Sequence, residues 1–229
     1  MTIKVFEAFS GYGSQAMALQ RLKQIYPDFD YEVVGISEID KYAIQAYNAV
    51  HGETTNYGDI SKIDWDNVPD FDLFTYSFPC QDISSAGKQR GLAEGSETRS
   101  SLLWECKKAI EAKKPKYLLM ENVKALTQKK FLPYLHERER YLGSLGYTNF
   151  TKVLNAKNYG VPQNRERVFM ASVLGDAWYE FPKPFELSKR LKDVLEKDVD
   201  EKYYLSKKLI KYVFSNGGKK GDIKGAVGV

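Results

Sequence analysis

The 229-residue chain is 43% hydrophobic and 28% charged, and its formal net charge is +4. This length suits one α/β domain with a further segment, and it is enough to bury a core without disulfides. The chain has no apolar run of about 18 residues and no signal-peptide pattern at its start, so we expect a cytoplasmic protein without a membrane span. Its two cysteines and two isolated histidines lack the spacing of a zinc site, so we expect no metal.

Short β-branched or aromatic runs alternate with helical patterns along most of the chain. The predicted strands cover residues 3–9, 31–37, 72–76, 117–120, 147–154 and 167–173, and the predicted helices cover residues 14–26, 41–50, 101–113 and 129–145. Asp40 is the expected N-cap of the second helix. Strands that alternate with helices predict an α/β fold with a doubly wound, mostly parallel sheet.

Two stretches do not fit this alternation. Residues 82–100 are rich in serine and glycine and form a predicted long loop. Residues 181–229 form a Lys-rich tail that ends in several glycines and holds too few apolar residues for a domain. We therefore expect one domain at residues 1–180 and a tail at residues 181–229. The basic tail permits nucleic-acid binding but does not require it.

The first strand leads into a glycine-containing loop, Phe9–Ser14. Gly11 and Gly13 let the backbone approach a ligand, and the helix that follows offers free N–H groups. Glu38 ends the second strand, where doubly wound nucleotide folds bind ribose hydroxyls, and Asp59 follows the next short segment. Either acid alone could be a surface turn residue, but their order along the fold favours a ligand. The missing third glycine of the dinucleotide motif favours a nucleoside without pyrophosphate.

Cys80 follows the strand at residues 72–76 directly, at the edge of the sheet where open α/β folds place ligands. A lone cysteine there is more often structural, but other residues favour a reactive thiol. Glu121 follows the next strand and could protonate a ring nitrogen. Arg165 and Arg167 lie two residues apart, so both side chains can point to one face and bind phosphate or a base oxygen. The loop after Cys80 carries polar and basic residues suited to cover a polyanion, namely Ser84, Ser85, Lys88, Arg90 and Arg99.

Taken in order, these motifs resemble those of the cytosine-5 DNA methyltransferases, over about residues 3–173. The matching segments are the FxGxG loop, Ser37–Glu38, Gly58–Ile60, Phe78–Gln81, Glu121–Val123 and Gln163–Arg167. The run of residues 81–88 is also similar to the mobile catalytic loop of the bacterial and phage enzymes of this family. Any one motif is common, whereas this order is highly specific.

The resemblance implies a Rossmann-like S-adenosylmethionine-dependent methyltransferase fold at residues 1–180, with S-adenosylmethionine as cofactor. Phe9 would pack on the adenine, Glu38 would bind the ribose, and Asp59 would accept from the adenine amino group. Ile39 leaves an apolar contact where the family often has an aromatic residue. The other residues expected to bind the cofactor are Ser10, Gly11, Gly13, Ile60, Pro79 and Leu102.

The resemblance also implies the chemistry and double-stranded DNA as the partner. Cys80 would add to C6 of a flipped-out cytosine and activate C5, while Glu121 stabilises the charge that develops at N3. Arg165 and Arg167 would hold the flipped base and its backbone, and Gln163 is a further expected catalytic residue. The residues expected in the catalytic loop or against DNA are Gln81, Ser84, Ser85, Lys88, Arg90, Arg99 and Asn122.

The sequence departs from the family after Val173, where neither a target-recognition region nor the final Asn-containing cofactor motif is found. We therefore expect a fragment, a truncated form or one subunit of a split enzyme, whose second polypeptide carries the recognition region. The tail would be the start of that region, and an apolar patch should be exposed near residues 14–26. Two alternatives stay open, namely a transfer-RNA cytosine-5 methyltransferase and a cofactor-binding subunit without activity of its own. The recognised DNA sequence cannot be read from this chain.

Overall fold

A six-stranded sheet forms the centre of the first of two units into which the chain divides, Met1–Ser188 and Lys189–Val229. The computed structural model describes residues 2–80 and 101–216. The strands of the sheet are β1 (Thr2–Ala8), β2 (Asp30–Ser37), β3 (Leu73–Tyr76), β4 (Tyr117–Val123), β5 (Tyr147–Asn155) and β6 (Glu166–Leu174).

The strand order is β2-β1-β3-β4-β6-β5, and β1 to β4 pair in parallel. Strand β6 is antiparallel to both of its neighbours, β4 and β5, so it alone runs in the reverse direction. Strand β2 lies next to β1 on one side, and the chain then crosses over so that β3 lies next to β1 on the other side. This arrangement confirms the predicted doubly wound, mostly parallel sheet.

Among the described residues, four α-helices belong to the first unit and one to the second. They are α1 (Ser14–Ile25), α2 (Lys41–His51), α3 (Leu102–Lys113), α4 (Leu132–Ser144) and, in the second unit, α5 (Lys207–Asn216). Asp40 caps α2 as predicted, because its carboxylate accepts hydrogen bonds from the amides of Tyr42 at 2.8 Å and Ala43 at 3.0 Å. Short 3₁₀ turns lie at Ile60–Lys62, Trp65–Asn67, Lys124–Thr127 and Ala156–Tyr159 in the first unit.

The predicted boundaries are wrong at one strand that bears on the site. Strand β4 continues to Val123, three residues past the predicted end, because β6 pairs with its last residues. In that register Glu121 lies opposite Phe169, and Val123 lies opposite Arg167. Glu121 therefore lies inside the sheet and not in a loop after it.

The chain after β6 turns back along β5, which is an edge strand of the sheet. Tyr179 packs on Phe150 of β5 with ring centroids 5.8 Å apart, and the amide of Phe185 donates to the carbonyl of Asn158 at 3.0 Å. The hydroxyl of Tyr159 also donates to the carbonyl of Pro182 at 3.1 Å. We call residues 175–185 the return segment. It runs alongside β5 and contacts that strand and the turn that follows it.

Aromatic side chains fill the core between β1, β3 and the segment that joins α2 to β3. The Phe6 ring lies 5.2 Å from that of Trp65 and 5.3 Å from that of Phe71, measured between centroids. Phe74 stacks on Tyr76 at 5.2 Å. Each such pair adds roughly 0.5–1.5 kcal/mol beyond the burial of its area. The packing fixes the ends of β1 and β3, which lie side by side in the sheet.

A buried arginine lies on the other helical layer. Arg138 of α4 is 0% exposed, and Leu135 and Leu142 occupy the flanking core positions of the same helix. Its guanidinium carbon lies 5.3 Å from the ring centroid of Tyr76 and 5.4 Å from that of Tyr141. Within residues 2–80 and 101–216, its three guanidinium nitrogens make no hydrogen bond of good geometry. Burial raises the pKa of Tyr76, and the charge of Arg138 and its weak hydrogen bonding with the Tyr76 hydroxyl oppose that rise.

Replacing Arg138 with methionine is expected to stabilise the protein. An unpaired buried charge is costly, and apolar residues of similar volume often raise stability by about 1 kcal/mol or more. The measurement is urea-induced unfolding followed by circular dichroism. Arg140→Met, at an exposed position of the same helix, is the matched control and should stay within about 0.5 kcal/mol of the wild type. A lower unfolding midpoint for Arg138→Met would show that the guanidinium is satisfied in solution.

The second unit contains 3₁₀ turns at Leu191–Val194 and Glu201–Tyr203, followed by α5. Its large apolar side chains are mostly exposed, among them Tyr203, Tyr204, Leu209, Ile210 and Phe214. Within the part of the chain that the structure describes, no helix combines the length and apolar character needed to cross a membrane.

Candidate active site

The carboxyl ends of four neighbouring strands meet at one edge of the sheet. The chain leaves β1 and β3 in opposite directions, so a crevice opens between their ends, where doubly wound folds bind ligands. Four of the predicted site residues lie at this edge, namely Phe9 after β1, Glu38 after β2, Cys80 after β3 and Glu121 near the end of β4.

The loop after β1 has an unusual backbone. Phe9 has φ 57°, Gly11 has φ 57° and Gly13 has φ 84°, all in the left-handed region. A bulky residue with positive φ is rare and points to a functional constraint at Phe9. Gly13 is the N-cap of α1 and provides no side-chain cap, so the first turn of the helix keeps backbone donors for a ligand. Ser10 is buried, and its hydroxyl has no hydrogen-bond partner among the described residues.

The carboxylate of Glu38 ties this loop to the end of β2. It accepts from the amide of Gly11 at 2.9 Å, from that of Ile39 at 2.8 Å and from that of Asp40 at 2.9 Å. A carboxylate has about four acceptor positions, so one remains for a ribose hydroxyl. Ile39 is 75% exposed beside it and offers an apolar surface to a ligand.

Asn56 holds the backbone of Glu38 in place and was missed by sequence reasoning. Its amide group donates to the carbonyl of Glu38 at 2.9 Å and accepts from the amide of Glu38 at 3.1 Å. Its oxygen also accepts from the amide of Gly58 at 3.0 Å. An asparagine two residues before a glycine indicates a turn, but the sequence does not show which strand the turn contacts.

Asp59 follows Gly58 and caps the turn Ile60–Lys62. Its carboxylate accepts from the hydroxyl of Ser61 at 2.8 Å, and hydrogen bonds from Ser61 lower the pKa of Asp59. An ionised carboxylate at this point suits the amino group of adenine. The side chain of Ile60 is buried in the core, so only its backbone could contact a ligand.

Cys80 lies at the end of a segment that the core holds in place. Phe78 is buried, and its carbonyl accepts from the side-chain amide of Asn122 at 2.9 Å. Cys80 is half-buried and packs against the hydrophobic core next to this segment. Asn122 is itself only 2% exposed, so the structure places it under the cysteine segment and not on a surface that DNA could contact. Its position indicates a role in holding the segment that carries the thiol.

The second cysteine, Cys106, differs from Cys80 in its burial. Cys106 is fully buried in α3, and its thiol donates to the carbonyl of Leu102 at 3.7 Å. Burial raises the pKa of Cys106 to about 12, so its thiolate form is scarcely populated near neutral pH.

Leu102, the first residue of α3, is half-buried against the core. Pro79 completes the segment before Cys80.

Glu121 and Arg167 form an ion pair across the antiparallel strands β4 and β6. The Nε atom of Arg167 lies 3.1 Å from Oε1 of Glu121, and both side chains are about one quarter exposed or less, at 24% and 21%. Burial raises the pKa of Glu121, while the charges of Arg167 and Arg165 oppose that shift without cancelling it. The pair therefore combines a carboxyl group that favours its proton with a cation that can stabilise negative charge nearby.

The segment before β6 is fixed to the end of β5. The amide of Arg165 donates to Oδ1 of Asn155 at 3.2 Å and to the carbonyl of Gln163 at 3.0 Å. The side chains of Gln163 and Arg165 are exposed, whereas that of Arg167 is half-buried against Glu121. The two arginines thus differ in surroundings, although both contribute positive charge at Glu121.

The remaining predicted contacts fall at residues 81–100, outside the described residues. They are Gln81, Ser84, Ser85, Lys88, Arg90 and Arg99. Within residues 2–80 and 101–216, no cluster of three or more His, Cys, Asp or Glu residues could hold a metal ion.

The fold and this edge define the class of the protein, a doubly wound α/β domain with a ligand crevice at the carboxyl ends of its strands. The family model of the C-5 cytosine-specific DNA methylases matches residues 3–226. The chain belongs to this family, whose enzymes use S-adenosylmethionine as cofactor. The family assignment confirms the resemblance in the motifs. The loop at Phe9–Gly13, together with Glu38 and Asp59, fits the nucleoside part of S-adenosylmethionine.

Related sequences include DNA-modifying enzymes of bacteria. The type II methyltransferase M2.ScrFI of Lactococcus lactis subsp. cremoris is 42% identical, in an alignment that covers 89% of this chain and 70% of that protein. The type II methyltransferase M.NlaX of Neisseria lactamica is 38% identical, over 90% of this chain and 64% of that protein. The chain thus spans about two thirds of the length of these relatives.

Solved structures show the same fold at lower identity. The S. pombe Dnmt2 methyltransferase superposes with a TM-score of 0.69 and 22% identity, over 91% of this chain and 64% of that one. The Entamoeba histolytica methyltransferase EhMeth has a TM-score of 0.72 and 19% identity, over 93% of this chain and 66% of that one. These similarities agree with the predicted Rossmann-like methyltransferase fold.

Proposed function

We propose that this chain is the catalytic part of a DNA cytosine-5 methyltransferase that acts through a covalent bond between Cys80 and C6 of the cytosine. The observation that carries the proposal is the meeting of Cys80, Glu121 and Arg167 at the edge that also holds the cofactor loop. Bacterial relatives at 35–42% identity support DNA as the substrate and a bacterial or phage source, with a cytoplasmic location.

The residues at the cofactor site bind S-adenosylmethionine before the thiol reacts. The backbone donors at the start of α1, Glu38 and Asp59 would hold the nucleoside, and Phe9 would contact its adenine. S-adenosylmethionine, when bound, supplies the methyl group as an electrophilic sulfonium. C5 of cytosine is too weak a nucleophile for this step, so the protein must first activate the ring.

Cys80 activates the ring by adding its thiolate to C6, which breaks the C5–C6 double bond and gives C5 the character of an enamine carbon. Glu121 can donate a proton or a hydrogen bond to N3 as charge develops there, which its raised pKa favours. Arg165 and Arg167 would hold the base and its backbone. After C5 takes the methyl group, a base removes the C5 proton and the thiolate leaves. The cytosine must be outside the helix for all of these steps.

We also propose that residues 1–180 form the catalytic domain, that residues 181–229 begin a recognition region, and that site-specific methylation needs further recognition residues, on the same or a second polypeptide. The share of its relatives that the chain spans supports this. Leu22 and Ile25 of α1 and Tyr26, which caps its end, are exposed, as a helix face that packs against another segment would be.

Two other functions are testable alternatives. A transfer-RNA cytosine-5 methyltransferase would have the same motifs, and a cofactor-binding subunit would bind S-adenosylmethionine without transfer. The retention of Cys80 and Glu121 at one edge argues for an active enzyme. The relatives named as type II methyltransferases, at higher identity than the solved structures, favour DNA over RNA.

A chimera tests the proposal. This chain replaces the aligned 70% of M2.ScrFI, which supplies the rest of the enzyme. We expect the chimera to transfer tritium-labelled methyl groups to C5 of cytosine in duplex DNA and none to transfer RNA, whereas the unfused chain should methylate no specific site. Transfer to RNA alone would establish the first alternative. Cofactor binding without transfer to either substrate would establish the second.

A further inference from the structure

We propose that Tyr47 and His51 of α2 are positioning residues that hold the loop Phe9–Gly13 in its cofactor-binding shape. Neither residue belongs to the set that contacts the nucleoside, and both act through the backbone of Tyr12 and Gly13. The inference rests on the proposed cofactor site and adds a determinant of its affinity.

His51 contacts the loop by a hydrogen bond. Its Nε2 atom lies 3.2 Å from the carbonyl oxygen of Tyr12. A carbonyl can only accept, so Nε2 carries the hydrogen and donates it. The bond fixes the peptide between Tyr12 and Gly13, the residue where the loop ends and α1 begins. The Tyr12 side chain is exposed, so its backbone is the part that is held.

Tyr47 and His51 also set the path of Gly13 by close packing. Their rings lie 4.6 Å apart between centroids. A Cβ atom on Gly13 would lie 2.7 Å from Cε2 of Tyr47 and 2.6 Å from Cδ2 of His51. No side chain fits there, and the φ of 84° at Gly13 disfavours other residues as well. The two rings therefore serve as the surface on which the turn lies.

Glu7 holds Tyr47 in place from beneath. Both side chains are fully buried, and the Tyr47 hydroxyl donates to Oε2 of Glu7 at 2.7 Å. Burial raises the pKa of Glu7, and the Tyr47 hydroxyl and the backbone of Ala16, in the first turn of α1, oppose that rise. The Glu7 carboxyl therefore lies close to the start of α1 as well as to Tyr47. One group thus links β1, α1 and α2 around the loop.

This arrangement differs from ordinary core packing. Tyr47 is a large side chain with a polar hydroxyl, and it is 0% exposed. Its partner is the buried carboxyl of Glu7, whose Oε1 atom has no hydrogen-bond partner among the described residues. Buried polar networks usually serve to specify one geometry. Here the specified geometry is the turn at Tyr12–Gly13, which provides the backbone donors of the cofactor site.

The test compares His51→Leu, His51→Gln and the matched control His136→Leu, which removes an exposed histidine of α4. The measurements are S-adenosylmethionine affinity by calorimetry and amide hydrogen exchange at residues 9–13. We expect His51→Leu to weaken binding about fivefold, the loss typical of one hydrogen bond, and to speed exchange in the loop. His51→Gln, which can donate from a similar position, should stay within about twofold of the wild type. In the chimera, KM for the cofactor should rise while kcat is unchanged.

Unchanged affinity and loop exchange in His51→Leu would overturn the inference, as would equal losses in His51→Leu and His51→Gln. If His51→Leu fails to fold by circular dichroism, Tyr47→Phe takes its place, and unchanged loop exchange in that variant overturns the inference. If the wild type binds no S-adenosylmethionine, the proposed cofactor site fails, and loop exchange alone then decides whether Tyr47 and His51 hold the turn.

Discussion

Replacing Cys80 with alanine is expected to abolish methyl transfer by the chimera, with a loss of at least about 10³-fold, as is seen when other catalytic nucleophiles are removed. Cys80 carries the one accessible thiol of the chain's two cysteines, since Cys106 is fully buried. The measurement is tritiated methyl incorporation into duplex DNA. Residual transfer at a tenth of the wild-type rate would rule out Cys80 as the nucleophile.

Covalent capture gives a second measurement of the same step. Duplex DNA with 5-fluorocytosine at the target position should form an adduct with the chimera that carries the wild-type sequence of this chain. The adduct should survive a denaturing gel, because fluorine cannot leave as a proton does. Cys80→Ala should form none. Cys106→Ala is the matched control, since it removes a buried thiol whose pKa of about 12 keeps it unreactive. An adduct in Cys80→Ala would contradict the mechanism.

Glu121→Gln is expected to lower kcat/KM for DNA by about 10²–10⁴-fold, the range for loss of a general acid or base. Burial raises the pKa of Glu121, so at pH values above the ordinary carboxyl range Glu121 keeps more of its proton than an exposed carboxyl group does. The ratio of wild-type to Glu121→Gln rates should therefore be constant at low pH and fall as the pH rises through the raised pKa. This ratio cancels the titration of groups that both proteins share.

Glu105→Gln is the control for Glu121→Gln. Glu105 lies on α3, where it pairs with Lys108 at 2.6 Å, and its loss should leave the rate unchanged. Arg167→Ala provides a further check, because removing the cation that lowers the pKa of Glu121 should move the fall of the rate to higher pH. A pH-independent ratio, with a normal rate for Glu121→Gln, would show that Glu121 does not act through its proton.

The sequence predicts those features that depend on local order. Strand and helix periods are local, so the alternation predicts the doubly wound sheet, and the ends of β1, β2 and β3 follow from it. Glu38 and Cys80 are found at the carboxyl edge because Glu38 follows β2 directly and Cys80 follows β3 by four residues. The cap at Asp40 is predicted for the same reason, since its partners are two and three residues away.

Features that depend on pairing between distant segments could not be predicted. The contact between Glu121 and Arg167 requires the register of β4 against β6, and the bond between Tyr47 and Glu7 joins residues 40 positions apart. Residue type is misleading at Arg138, where helix spacing indicates a core position but the charge indicates the surface. The motif of Asn122 predicts a position near DNA, whereas the structure shows that this side chain is buried and donates to the carbonyl of Phe78.

The return segment has a consequence for how such an enzyme changes its target. Strand β6 ends at the edge of the sheet opposite Cys80, but the return segment brings the chain back along β5, so that Phe185 lies beside Asn158 near the start of β6. A polypeptide attached after residue 185 therefore begins at the catalytic edge without crossing the sheet. In the proposed enzyme, recognition residues that follow this junction would start beside the site, without any change in the strand order or in the positions of Cys80 and Glu121.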